Sequence, residues 1–445
     1  MKRLLIGHSA PLRGAVAVNG AKNAVLPILA AALLTDEPCE IDGVPHVTDV
    51  ATMRAILDEL GVRTDDIKGA IRTRPGAGGT TASYELVRMM RASVCVLGPL
   101  LAKRGTAKVS MPGGCVIGPR PIDLHLKGLR ALGASIEIEH GYIVAHATRL
   151  RGAHVLLGGA FGSSVLATAN VMMAAALAEG ETVIEQAACE PEVSDLADCL
   201  SAMGARIAGR GTPVLTIEGV RRLRGVRYRI IPDRIEAGTL MMAAAITGGD
   251  VLVDGARAEH LGALIEQLRE AGVEIEPRPG AVRVRAPRRL RATEVTALPY
   301  PGFPTDLQAQ IMALMTVAEG VSVVTEKVYP ERFMHVPELL RMGAQITREG
   351  SRAVVKGVPR LSGAPVVASD LRASAGLILA GLAADNSTEL RGIEHLSRGY
   401  QALGAQLVAL GADIREIDDP DGGRTGGEDA LTLESFQEMR GDGVR

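Results

Sequence analysis

The chain of 445 residues carries a formal net charge of −2, which gives no bulk attraction to nucleic acid or anionic membrane and confines any cationic site to a local cluster. With no Trp, four Phe and six Tyr it lacks base-stacking surface, so its core must be built from aliphatic side chains and Met. Its length exceeds one usual core, and five cysteines without metal-ligand spacing, at 39, 95, 115, 189 and 199, point to two domains in a reducing compartment.

The apolar run at 1–8 is too short for a signal peptide and no later stretch is an uninterrupted membrane span, so a cytoplasmic protein is expected. From there the chain repeats one unit. Segments 24–34, 92–101, 165–178, 240–246, 307–317 and 373–382 are apolar almost all round, which places them as helices in an interior. After each comes a turn, a short strand-like run and an amphipathic pattern such as 123–132, which ends at a glycine. These glycines are Gly61, Gly133, Gly204, Gly272, Gly343 and Gly411, and each precedes another strand-like run, as a helix C-cap should. The expected architecture is α/β, with two domains of three pseudo-symmetric units and the apolar helices packed inside the sheets. The chain should divide near 222–231, giving 22–230 and 1–21 plus 231–417, with 418–445 a turn-rich acidic tail holding at most a short helix at 431–439.

In the second unit, VSMPGGCVIGPRP (109–121) surrounds Cys115 and Arg120 with glycines and prolines, so it is neither helix nor regular strand and is suited to open and close over a site. A guanidinium five residues from a thiol favours the thiolate and can grip a carboxylate or phosphate. Cys39, Cys95 and Cys199 lie in apolar or alternating runs and read as structural.

Polar residues recur at the mouths of the apolar helices: Lys22 and Asn23, Arg91, Ser164, Asp233, Arg234 and Glu236, Asp306 and Gln308, Asp370 and Arg372. For Ser164, Asp233 and Asp370, capping and ligand contact are both open. Cations at Lys22, Arg91 and Arg372 are disfavoured by the helix macrodipole unless an anion lies between, so convergence of these ends would make an anion site. Asp306, held behind Pro304, could take a proton from a hydroxyl or simply cap its helix; Arg398 lies in a loop beside Gly399.

Taken together, GAKNA (20–24), MRAS (90–93), PGGCVIGPRP (112–121), PDRIE (232–236), FPTDLQAQ (303–310), RFMHVPE (332–338) and DLRAS (370–374) resemble the UDP-N-acetylglucosamine 1-carboxyvinyltransferases, enolpyruvyl transferases that begin bacterial peptidoglycan synthesis. The resemblance runs in order to about residue 417. It implies two inside-out α/β barrel domains with the active site between them, and transfer of enolpyruvate from phosphoenolpyruvate to the 3'-hydroxyl of the UDP-sugar with release of phosphate. No metal or organic cofactor is implied, and the substrates are the partners it implies. By resemblance, Cys115 would be the general acid toward the phosphoenolpyruvate methylene and the target of fosfomycin, and Asp306 the base. Lys22, Arg120 and Arg398 would hold phosphate and carboxylate, and Asn23 would hydrogen-bond substrate. Arg91, Arg120, Pro121, Ile122, Asp123, Leu124, Ser164, Val165, Asp306 and Val328 would bind the UDP-sugar, with Arg332 and Arg372 assisting and Asp233 and Asp370 in support.

Two departures stand out: Tyr329 where the family pattern has Phe, and a longer 158–166 segment with Leu166 where Gly is common. They bear on the contacts of Ser164 and Val165. The competing readings are an enolpyruvyl transferase with another acceptor and a non-catalytic repeat scaffold.

Overall fold

The structure, a computed structural model, describes residues 2–112 and 122–418. Cys115, Arg120, Pro121 and the expected tail helix lie outside them.

Each apolar segment lies in a helix whose side chains are mostly buried. They are Lys22–Ala31, Leu97–Arg104 and Val165–Ala175 in the first half, and Arg234–Thr247, Gln308–Met315 and Leu371–Ala383 in the second. Within each half the three helices pack on one another. Two begin differently from the expectation. Arg91 and Asp306 lie in the 3-10 helices Arg91–Val96 and Thr305–Leu307 that precede the α-helix, a distinction that apolar periodicity cannot register.

Around the helices stand six four-stranded sheets, one per unit, none closed on itself. In every sheet an incoming strand runs parallel to the strand after the buried helix, which is antiparallel to a third strand, itself antiparallel to a fourth. All six repeat glycines have positive φ, from 80° at Gly61 to 107° at Gly204, the conformation that ends an outer helix and that a Cβ disfavours. Three sheets are completed by distant chain. Arg227–Arg229 joins Cys39–Asp42, Arg13–Ala17 joins Asp250–Asp254, and Lys2–Ile6 pairs with both Thr388–Arg391 and Ile414–Asp418.

The apolar side chains form two cores, one from Ala21 to Ile231 and one joining Leu4–Val16 to Ile235–Ile414. The chain passes between them twice, and the crossings are bonded: Ala21 N–H donates to Ile231 O at 2.8 Å and Asp233 N–H to Asn19 O at 2.8 Å. Beside them Glu236 accepts from Asn19 N–H, Asn19 Nδ2 and Gln406 Nε2. Burial, then the Asp233 carboxylate, pushes the Glu236 carboxyl up to about 7. An unfolded Glu ionises near pH ~4.3, so as pH rises from there to about 7 the folded state lags in losing its proton and loses stability. Glu236→Gln, which mimics the protonated acid, is expected to match the parent in urea unfolding at pH 4 and exceed it at pH 8.

In the first core one amide joins three elements. Asn170 Oδ1 accepts from Gly98 N–H at 2.6 Å, and Nδ2 donates to Val94 O at 2.8 Å and His125 Nδ1 at 3.0 Å. Burial and then Arg91 push His125 down to about 3, so it is neutral and its Nδ1 is free to accept. A Cβ on Gly98 would lie 2.2 Å from Asn170 O, so only glycine lets these helices approach so closely. Asn170→Ala orphans all three partners and is expected to cost about 3 kcal/mol or more in urea unfolding.

Candidate active site

The helix ends converge on the crevice between the two cores. Ser164 caps its helix by accepting from Ala167 N–H at 3.3 Å. Asp370 Oδ1 accepts from Arg372 and Ala373 N–H at 2.7 and 3.2 Å. Asp233 serves two helices from opposite halves, its Oδ1 accepting from Ile235 and Glu236 N–H and its Oδ2 from Lys22 N–H at 3.1 Å. Each of the three therefore caps a helix, one of the two readings open for it.

Asp306 caps nothing. Its Oδ1 accepts from Arg332 Nη1 at 2.9 Å; its Oδ2 accepts from Arg372 Nη2 at 2.9 Å and, from the other half, Asn23 Nδ2 at 3.3 Å. The guanidiniums are 8% and 3% exposed, whereas Asp306 keeps 26% toward the crevice. Burial alone would raise the Asp306 carboxyl, but Arg372 and Arg332 overcome it and hold it well below the usual carboxylate range.

A second carboxylate organises the other cations. Asp49, 2% exposed in the outer helix Thr48–Glu59, pairs with Lys22 Nζ at 2.8 Å and with Arg398 Nε at 3.0 Å. Burial works to raise Asp49, and the two cations overcome it and hold it below its ordinary value. Arg398 ends the 3-10 helix Ile393–Arg398, where the sequence suggested loop. The Arg398–Asp49 pair therefore joins the two halves, as does Arg234 Nε with Glu192 Oε1 at 2.9 Å. Arg234 also lies over the Tyr300 ring, 5.6 Å from its centroid.

The structure thus brings Lys22, Asn23, Asp306, Arg332, Arg372 and Arg398 into one charged crevice, with Asp233 and Asp370 holding the helix ends behind them. Among the described residues, the other predicted contacts are Arg91, Ile122, Asp123, Leu124, Ser164 and Val165 in the first half and Val328 in the second. Arg91 faces His125; Ile122 precedes, and Asp123 and Leu124 open, the outer helix Asp123–Ala131; Val165 begins its buried helix beside Ser164. The hairpin formed by Gly158–Gly159 and Gly162–Ser163 lies against Leu124 on one side and Pro299 on the other. Val328 N–H donates to Glu326 Oε1 at 2.7 Å. Among the described residues no hydrogen bond or ion pair links Ile122, Asp123, Leu124, Ser164, Val165 or Val328 directly to Asp306 or Asp49. Asp49 and Glu192 were not read from the sequence, because an acid in the first turn of an outer helix is the ordinary partner of the macrodipole.

Chemically, the crevice offers an ionised carboxylate, a neutral amide donor and four cations. That set can bind a small, multiply charged anion and move a proton beside it. Among the described residues no group of three or more His, Cys, Asp or Glu could hold a metal ion, and no helix is long and apolar enough to cross a membrane.

The architecture is that of the enolpyruvyl transferases. The enolpyruvyl transferase NikO from Streptomyces tendae superposes over 94% of this chain and 99% of its own, with TM-score 0.85 and 26% identity. The EPSP synthase of Acinetobacter baumannii shares the fold at TM-score 0.72 and 18% identity, over 94% of this chain and all of its own. The sequence profile of EPSP synthase (3-phosphoshikimate 1-carboxyvinyltransferase) matches residues 6–407. Among full-length relatives, the UDP-N-acetylglucosamine 1-carboxyvinyltransferase of Geobacter metallireducens is 54% identical over 94% of this chain and 100% of its own. That of Methylacidiphilum infernorum is 52% identical over 94% and 99%. The chain belongs to the EPSP synthase family and, within it, to the UDP-N-acetylglucosamine 1-carboxyvinyltransferases.

Proposed function

We propose that this enzyme transfers the enolpyruvyl group of phosphoenolpyruvate to the 3'-hydroxyl of UDP-N-acetylglucosamine and releases phosphate, the first committed step of peptidoglycan synthesis, in the cytoplasm. The observation that carries the reading is the pairing of Arg332 and Arg372 with Asp306 and of Lys22 and Arg398 with Asp49, in a chain more than half identical to carboxyvinyltransferases of that name. The catalytic unit spans 22–230 and 1–21 plus 231–417, and the substrates meet between them.

In this reading the sugar hydroxyl gives its proton to Asp306 as its oxygen bonds to C2 of phosphoenolpyruvate. Cys115 delivers a proton to C3, producing a tetrahedral ketal. Loss of a proton from C3 and cleavage of the C2–O bond to phosphate then regenerate the vinyl group on the sugar. Lys22, Arg120 and Arg398 hold the phosphate and carboxylate of phosphoenolpyruvate, and the developing charge stays close to fixed cations throughout. Asp306 is a weak base while two guanidiniums grip it. An anionic substrate competing for Arg332 and Arg372 loosens that grip and restores basicity at the moment it is needed. Asn23, Arg91, Pro121, Ile122, Asp123, Leu124, Ser164, Val165 and Val328 provide the sugar-nucleotide contacts.

The likeness to NikO supports enolpyruvyl transfer without fixing the acceptor, and the second reading is transfer to a different acceptor. A panel of UDP-N-acetylglucosamine, UMP and shikimate 3-phosphate with phosphoenolpyruvate separates the two. Phosphate release with the first alone supports the proposal, and release with another acceptor alone moves the substrate.

A further inference from the structure

We infer that Tyr400 is a positioning residue for this reaction, fixing the Arg372 guanidinium and through it the Asp306 carboxylate. The inference rests on the reading of Asp306 as the base. Tyr400 is 2% exposed and follows Gly399 at the end of the 3-10 helix that carries Arg398. Its ring lies against Arg372, with the guanidinium carbon 5.3 Å from the centroid. Arg372 needs such a support, because among the described residues only its Nη2 has a carboxylate partner, while Nη1 is buried without one. A planar cation held at one corner can pivot, and an aromatic face beneath it restricts that motion.

The hydroxyl of Tyr400 is fixed by a chain whose direction follows from proton counting. Thr239 donates its only hydroxyl proton to Ile235 O at 2.8 Å, so at 2.9 Å it accepts from Tyr400. With its proton so used, Tyr400 is an acceptor for Gln310 Nε2 at 3.2 Å, and the same amide nitrogen also faces the Asp306 main-chain carbonyl at 3.1 Å and Thr239 Oγ1 at 3.2 Å. One phenol thus ties the buried helices Arg234–Thr247, Gln308–Met315 and Leu371–Ala383 together.

The charged groups that face Asp306 or its partners are Arg332, Arg372 and Arg234, with Asp233 acting on Arg372 and Glu326 accepting from Thr305 Oγ1 at 2.7 Å. Only Arg372 among them rests on Tyr400. Loosening that support weakens one of the two grips that keep Asp306 ionised, so its proton affinity rises and the acid limb of the rate moves to higher pH.

The test measures kcat and KM for both substrates across pH, by phosphate release, for the parent, Tyr400→Phe, Tyr400→Leu, Gln310→Met and Asp306→Asn. Tyr400→Leu is expected to lower kcat about tenfold and move the acid limb upward, with KM for the sugar nucleotide within about twofold. Tyr400→Phe, which keeps the ring, should recover most of the rate. Gln310→Met should shift the acid limb the same way by less, and supplies the answer if Tyr400→Leu does not fold. A folded Tyr400→Leu or Gln310→Met that is less stable but keeps the parental acid limb overturns the inference. Near-parental activity in Asp306→Asn would instead overturn the reading of the base, a result the Tyr400 variants cannot mimic.

Discussion

Asp306→Asn is expected to lower kcat for phosphate release by about 10²–10⁴-fold, the usual loss when a positioned general base is removed. The amide keeps the shape and still accepts one hydrogen bond from Arg332 or Arg372, so the site should remain assembled. What it loses is the charge that two buried guanidiniums share and the capacity to accept the hydroxyl proton. Binding of the sugar nucleotide, followed by calorimetry, should stay within about tenfold of the parent. Equal losses of binding and turnover would mean that Asp306 holds substrate and does not take its proton.

Cys115→Ser is expected to abolish most turnover and all inactivation by fosfomycin, while Cys199→Ser leaves both unchanged. The other four cysteines give thiolate chemistry no home. Burial pushes Cys39, Cys95 and Cys199 up, Cys95 to about 12, and Cys189 is raised by burial and by Glu190. A thiol raised in this way is almost wholly protonated at neutral pH and unreactive. The segment carrying Cys115 and Arg120 connects the strand Thr106–Ser110 to the helix Asp123–Ala131, whose first turn carries Leu124 beside Gly159. Turnover and fosfomycin sensitivity measured on the two serine variants separate the thiols, and equal effects would sink the assignment of Cys115.

The sixfold plan was legible because it is written in strong local signals. A helix with no polar face can only be interior, and a glycine closing an amphipathic helix at positive φ recurs at Gly61, Gly133, Gly204, Gly272, Gly343 and Gly411. The capping side chains of Ser164, Asp233 and Asp370 were legible as residue types at helix mouths, and a cation beside them pointed to an anion site. Long-range pairing was not legible. Nothing local says that Arg332 and Arg372 close on one carboxylate 26 and 66 residues away, or that Arg398 reaches Asp49 across the crevice. Asp49 and Glu192 looked like ordinary first-turn acids, and Tyr400 like an aromatic after a loop glycine. Each acquires its role only when helices from different units meet. Arg91 and Asp306 sit in 3-10 turns, which apolar periodicity does not distinguish from α-helix.

The most direct test of the central claim is to incubate the protein with phosphoenolpyruvate and UDP-N-acetylglucosamine and follow the sugar nucleotide by proton NMR. The account predicts two vinyl signals that grow in step with released phosphate, on a product carrying the enolpyruvyl ether at the 3' position, and their absence with Asp306→Asn. Phosphate release without vinyl signals on the sugar nucleotide, or an unchanged sugar nucleotide in the presence of folded protein, would contradict it.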